Sequence, residues 1–255
     1  MLRDAWRLSL GTLTAVPVRS PILVDRRRAG VAMVLAPVAA MPLGIALVLV
    51  LVVAHDLGLP PLVSSLLGIG AAVVGNRAFH LDGLADTVDG MAASYDRDRS
   101  LAVMKSGTSG PAGVAAIVLV VGLQVSALSS MVSASQPLRA GVLAGVAFCV
   151  SRAALTVCCL RGVPSARPGG LGDTYTQSVP RAAAALVWVL GTAVVSVAAS
   201  WAGLAWWRGA VGALLALAVA SLVVDRAVRR FGGVTGDVFG ASIELALATL
   251  LVALA

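Results

Sequence analysis

Seven apolar runs divide the chain, at about 30–54, 62–79, 111–132, 140–160, 182–205, 209–224 and 238–255. Most approach the ~20 residues that a helix needs to cross a hydrocarbon layer of ~30 Å. The pattern predicts an all-α fold, a polytopic integral membrane helical bundle with about six to seven transmembrane helices. Pro37 and Pro42 interrupt the first run and predict a kink there, which a membrane helix tolerates when neighbours satisfy the freed backbone groups. The last run is the weakest, because Glu244 lies inside it. No solenoid-like repeat and no linker separates two halves, so residues 1–255 read as a single transmembrane domain.

Composition strengthens this picture. Hydrophobic residues are 59% of the chain and charged residues 12%, about half the share usual in soluble domains. The helices are mostly Ala, Val, Leu and Gly, small residues that let membrane helices approach closely. The net charge of +7 would point to nucleic acid in a soluble protein. Here the basic residues follow the loops instead. With the N-terminus inside, 17 of the 19 Lys and Arg residues fall on the cytoplasmic side and only Arg139 and Arg208 outside, the positive-inside bias. The expected location is the cytoplasmic membrane, multi-pass, with the motif loops facing the cytoplasm. Cys149, Cys158 and Cys159 share one apolar run without CxxC spacing, which argues against a zinc site or a disulfide scaffold. The 28 or so polar-rich residues before the first run carry no small-residue cleavage pattern. No nucleic-acid partner is expected, and a homo-oligomer is compatible with the pattern.

The acids carry the chemistry. Asp82, Asp86 and Asp89 follow His80 at i, i+4, i+7 spacing, which places them within about 60° of arc on one helical face. Like charges on one face repel, and the cost rises near a bilayer. A hard divalent ion would offset it, since carboxylate oxygens suit magnesium. The bland alternative is a solvated acidic face, but Leu81, Leu84, Ala85 and Val88 make the rest of the segment apolar. Asn76, Arg77 and His80 precede this face. His80 is a candidate for orienting a carboxylate or moving a proton, or a structural hydrogen-bonding group. Asp96 to Arg99 reads as a solvated turn with local ion pairs, and His55 as a bystander in an outside loop.

Three further loops are candidates. Lys105, the only lysine, opens the Gly-rich stretch Lys105-Ser-Gly107-Thr-Ser-Gly110-Pro-Ala-Gly113. Exposed N–H groups and a cation can hold phosphate, although a plain connector fits equally well. With the N-terminal segment counted as the first inside loop and the one holding Lys105 as the second, Arg161 and Arg167 stand in the third, a Pro/Gly loop ending at Gly172-Asp173, a plausible clamp for phosphate or carboxylate. In the fourth loop, Thr235 or Asp237 can cap the next helix. Asp237 and Glu244 share a face, and an unpaired Glu inside an apolar helix is costly.

Together these stretches resemble the cobalamin synthase family, the adenosylcobinamide-GDP ribazoletransferases. The similarity rests on His80-Leu-Asp-Gly-Leu-Ala-Asp-Thr-Val-Asp-Gly90, the Asp-Arg-x-Arg run and Met-Lys loop, Arg167-Pro-x-Gly-Leu-Gly172, Gly232-Gly-Val-Thr-Gly-Asp237 through Gly240-Ala to Glu244, and Leu-Thr-x-x-Pro-Val near the start. It runs from about residue 9 to 244. After Lys105 the family often has Asp-Ser-Arg-x-Gly, whereas this chain has Ser106 to Gly110, so no acid or arginine role carries over there. The resemblance implies a late step of cobalamin synthesis, in which adenosylcobinamide-GDP and α-ribazole or its 5′-phosphate join, GMP leaves and magnesium is required.

On that reading the catalytic candidates are His80, Asp82, Asp86 and Asp89. Substrate would be held by Asn76, Lys105, Arg161 and Arg167, and magnesium by Asp82, Asp86, Asp89, Asp237 and Glu244 together. Two rivals fit less well. A CDP-alcohol phosphatidyltransferase needs Arg after the Ala of Asp-Gly-x-x-Ala, where this chain has Asp86. A secondary transporter needs carboxylates deep in its spans, whereas these cluster at predicted cytoplasmic ends.

Overall fold

The structure is a computed structural model that describes residues 1–19, 21, 23–169 and 171–255. Gly170 of the third loop lies outside the described residues. The helices are α1 (Leu2–Leu13), α2 (Arg26–Val34), α3 (Ala36–Ala39), α4 (Met41–Asp56), α5 (Pro61–Gly75), α6 (Phe79–Ala93), α7 (Arg97–Lys105), α8 (Pro111–Ala134), α9 (Pro137–Ser151), α10 (Ala154–Cys158), α11 (Leu171–Tyr175), α12 (Arg181–Trp201), α13 (Trp206–Phe231) and α14 (Gly236–Leu254). Among the described residues the only β pairing is two isolated bridges.

Among the described residues five helical stretches are long and apolar enough to cross a membrane, α8, α9 with α10, α12, α13 and α14, and the bent pair α5–α6 makes a sixth if it counts as one span. The protein is therefore a multi-pass helical membrane protein. The other two apolar runs are shorter. Helix α4 has 16 residues and α5 has 15, or roughly 22–24 Å at ~1.5 Å per residue. The first run breaks where its prolines stand. Pro37 opens α3 and Pro42 opens α4, positions where the missing N–H costs nothing. The expected single kink is thus two breaks.

Helix α14 is the hub. It packs against α6, α8, α9, α10 and α13, and most of its residues are buried. Such burial explains how a terminal helix can carry Glu244: its neighbours are protein rather than lipid.

A break between α5 and α6 positions the site. Helix α6 turns 88° away from α5 across Asn76–Ala78, where Arg77 and Ala78 adopt left-handed φ of 59° and 56°. Such a conformation costs roughly 1–3 kcal/mol at a non-glycine residue. The Arg77 guanidinium helps hold the turn: it donates to the Gly11 carbonyl at 3.1 Å and covers the Phe79 ring at 4.5 Å. Ala78→Gly should relieve part of this strain and raise unfolding stability by about 1 kcal/mol, seen as a higher midpoint in a thermal melt of the detergent-solubilised protein. A lowered midpoint would mean that the turn carries no strain.

Candidate active site

Two glycines bring α6 and α14 together. A Cβ at Gly83 would lie 2.7 Å from the Asp237 carbonyl oxygen, and one at Gly240 would lie 2.7 Å from that of His80. Backbone therefore meets backbone, and the acidic face of α6 is set against the first turn of α14. Thr235 caps that turn, accepting from the Val238 N–H at 3.4 Å, and its hydroxyl also donates to Asp237 at 3.1 Å.

The third and fourth loops are zipped together beside it. Ala166 N–H donates to the Val234 carbonyl at 3.0 Å, and Val234 N–H to that of Pro164 at 2.9 Å. Gly233 permits this, since a Cβ there would meet the Ser165 carbonyl carbon at 2.4 Å. Arginines then tie both loops to the α6–α7 region. Arg97 donates to Ala166 at 3.0 Å, Arg230 to Met91 at 2.8 Å and also to Ser94, and Arg167 to Leu101.

The result is a cavity of about 400 Å³ lined by His80, Asp82, Arg167 and Asp237 and walled by Leu13, Met33, Phe79, Leu155, Tyr175 and Phe239 among others. Tyr175 and Phe239 meet edge to face at 6.3 Å. Burial pushes the Tyr175 phenol above its usual range, so it remains a neutral hydroxyl, 3.4 Å from that of Thr12.

The candidate residues separate into groups. Along α6 exposure falls steadily: Asp82 is exposed, Asp86 half-buried and Asp89 buried. Asp86 stands within electrostatic reach of Asp82, Asp237, Asp89 and Arg167. Asp89 is engaged elsewhere. Its carboxylate accepts from Gly110 N–H at 2.6 Å and from Gly113 N–H at 2.8 Å, a negative charge at the N-terminus of α8, where the helix dipole favours it. The Gly-rich loop thus spends two N–H groups on Asp89 rather than leaving them for phosphate. Glu244 is also engaged elsewhere, accepting from the Gln124 side chain at 2.8 Å. Asn76 is buried against His80 at 3.4 Å, while Lys105 and Arg161 are exposed and do not line the cavity. The structure thus brings Asp82, Asp237 and Arg167 to one cavity, leaves Asp86 outside its lining but within electrostatic reach, and gives Asp89 and Glu244 other partners.

Among the described residues no three His, Cys, Asp or Glu side chains converge as ligands for an ion. The donor chemistry still fits magnesium, which usually takes one or two carboxylates and completes its shell with water and substrate phosphate. Asp82 and Asp237 offer two such carboxylates in one cavity.

Two residues escaped sequence reasoning. Arg152 reads from the sequence as one more inside arginine, yet it is 1% exposed, with its guanidinium against the Phe148 ring at 3.3 Å. Gln124 reads as an ordinary residue of an apolar run. A signal existed in both: a polar side chain inside a span calls for a partner.

The sequence profile of the cobalamin-5-phosphate synthase family matches residues 5–255. The chain belongs to this family. As a member of the cobalamin-5-phosphate synthase family it has full-length relatives. One from Nocardioides sp., named adenosylcobinamide-GDP ribazoletransferase, is 51% identical over 99% of this chain and 98% of its own. A Pseudomonas aeruginosa protein of the same name is 37% identical over 100% of both chains, and one from Frankia casuarinae is 37% identical over 96% of this chain and 92% of its own. No solved structure matches.

Proposed function

We propose that the protein is a magnesium-dependent adenosylcobinamide-GDP ribazoletransferase that joins adenosylcobinamide-GDP to α-ribazole, or to its 5′-phosphate, with release of GMP. One observation carries the reading: a guanidinium and two carboxylates, Arg167, Asp82 and Asp237, line the same cavity in a chain whose full-length relatives bear that name. A diphosphate needs cationic contacts, and an attacking hydroxyl needs a proton acceptor. The hydroxyl oxygen of the ribazole forms the new bond to the phosphorus nearer the cobinamide. The bond from that phosphorus to the bridging oxygen breaks, and GMP leaves with the electron pair.

Arg167, already fixed on Leu101, faces the phosphate oxygens. Asp82 or Asp237 takes the hydroxyl proton. Asp82 and Asp237 would hold magnesium, which when bound would neutralise charge gathering on phosphate oxygens. A cavity of about 400 Å³ sits at the low end of small-molecule sites, ~300–1,000 Å³. It therefore takes the diphosphate end or the ribazole, while the corrinoid stays at the mouth.

The deciding experiment is GMP release from adenosylcobinamide-GDP by the purified protein in lipid, with magnesium and with chelator. No release removes the activity, and release unaffected by chelator removes the metal. Arg167→Ala should raise KM for the GDP-bearing substrate by about tenfold or more, the loss of one charge-assisted contact worth ~1.5–3 kcal/mol; unchanged kinetics would leave Arg167 a loop fastener only.

We also place the site on the cytoplasmic face of the cytoplasmic membrane. Single cysteines at Asp98, Arg161 and Arg229, all exposed, should label from the inside and one at His55 from the outside. Labelling of the first three from opposite sides would overturn that topology.

A further inference from the structure

Behind the cavity lies a second polar cluster, closed to solvent and drawn from five separate parts of the chain. Glu244 on α14 is 3% exposed. Its Oε2 accepts from Gln124 Nε2 on α8 at 2.8 Å, and the same amide reaches the Glu244 carbonyl at 3.3 Å. Its Oε1 lies 3.7 Å from His80 Nδ1 on α6. Asn76, at the end of α5, sets its amide nitrogen Nδ2 3.4 Å from the same ring nitrogen. Arg152, in the break between α9 and α10, is within electrostatic reach of Glu244 and His80 and is anchored by donating to the Phe148 carbonyl and the Ser151 hydroxyl, each at 2.7 Å.

Glu244 does not line the cavity, whereas His80 does. His80 is therefore the one member of this cluster shared with the site. A carboxylate beside Nδ1 favours a proton on that nitrogen. That tautomer requires the Asn76 amide to be turned over, so that Oδ1 rather than Nδ2 faces the ring, an exchange that also gives Asn76 Oδ1 a donor it otherwise lacks. With Nδ1 protonated, Nε2 carries a free lone pair.

We propose that Glu244 is a positioning residue rather than a magnesium ligand: it fixes the ring and tautomer of His80, so that His80 accepts a hydrogen bond from substrate within the cavity. A magnesium ligand would be open to water and phosphate. Glu244 instead has both oxygens turned to protein, and Arg152 supplies the counter-charge that a buried carboxylate requires. The inference rests on the ribazoletransferase reading for its kinetic arm only.

The chain has two histidines, His55 and His80, so ¹⁵N-histidine spectra of the full chain in lipid nanodiscs, without metal or substrate, resolve the two rings. Wild-type His80 should show the Nδ1-protonated neutral form. Glu244→Gln should shift the His80 signals and leave those of His55 unchanged. In GMP release, Glu244→Gln should lower kcat by about 10- to 100-fold, the usual range for a supporting partner of a site residue, with the magnesium midpoint unchanged. The double variant with His80→Gln should be no slower than His80→Gln alone.

A magnesium midpoint moved tenfold, multiplying losses in the double variant, or unchanged His80 signals would each overturn the proposal. Gln124→Leu gives an independent check should Glu244→Gln fail to fold. It removes a Glu244 partner that does not line the cavity and should lower kcat without moving the magnesium midpoint; wild-type kcat would overturn the proposal. If wild-type protein releases no GMP, the ribazoletransferase reading fails while the spectra still report the Glu244–His80 contact.

Discussion

Asp82→Asn and Asp237→Asn should each lower kcat by about 100- to 1,000-fold, the loss expected when a group that stabilises transition-state charge is removed, while the protein still folds. Both side chains line the cavity beside Arg167. Among the described residues neither carboxylate accepts from the backbone of a neighbouring helix, Asp237 taking only the Thr235 hydroxyl, and Asn is nearly the same size as Asp. The lost negative charge should also raise the magnesium midpoint, a shift that a purely structural defect would not produce. Asp89→Asn should behave differently. Asp89 accepts two backbone N–H groups at the start of α8, and an amide opposes one of those donors with a donor of its own. The expected loss is about 1–2 kcal/mol of stability, with an unchanged magnesium midpoint in the protein that remains folded. If Asp82→Asn and Asp237→Asn retained wild-type kcat and magnesium response, the cavity would not be where the chemistry occurs.

The contrast between Asp82 and Asp89 marks how far the sequence alone reaches. Spacing puts Asp82, Asp86 and Asp89 on one face of α6, and the structure keeps them there. Spacing does not say which neighbour covers each turn of that face. Gly110 and Gly113 cover the last turn and take Asp89, a pairing across 21 and 24 residues that no local pattern announces. Asp237 and Glu244 likewise share a face of α14, yet the first meets the cavity and the second meets Gln124. The apolar helices were legible because lipid sets one length and one composition for each span. Arg152 was illegible for the same reason in reverse. The positive-inside count assigns every arginine near a span end to the surface, and only the packing of α9, α10 and α14 shows one turned inward. Gly83 and Gly240 fall within stretches that read as helical, and only the packing shows that they serve a close contact between α6 and α14.

That contact supports the second large prediction. Gly83→Ala and Gly240→Ala should each lower kcat/KM by about 100-fold, although neither adds or removes a polar group. The two glycines are reciprocal. Gly83 of α6 faces the backbone of Asp237, and Gly240 of α14 faces that of His80, each with room for a Cβ only at 2.7–2.9 Å. The obstructing atoms are main chain, so no side-chain rotation relieves the clash. An ordinary carbon contact needs ~3.5–4.0 Å, so the helices must separate by about 1 Å, a displacement large enough to cost ~10²-fold in a positioned site. The same strain should lower stability by about 1–3 kcal/mol. Gly70 and Gly122 supply the controls, because a Cβ at either meets nothing within 4 Å. Alanine at these helical positions should leave kcat/KM unchanged and stability equal or slightly higher, by up to ~1 kcal/mol. GMP release and thermal melts of the four variants, measured side by side, separate the two outcomes. Equal behaviour of all four would mean that the approach of α6 to α14 does not set the distance between Asp82 and Asp237, and that the cavity geometry is held by the arginine-fastened loops instead.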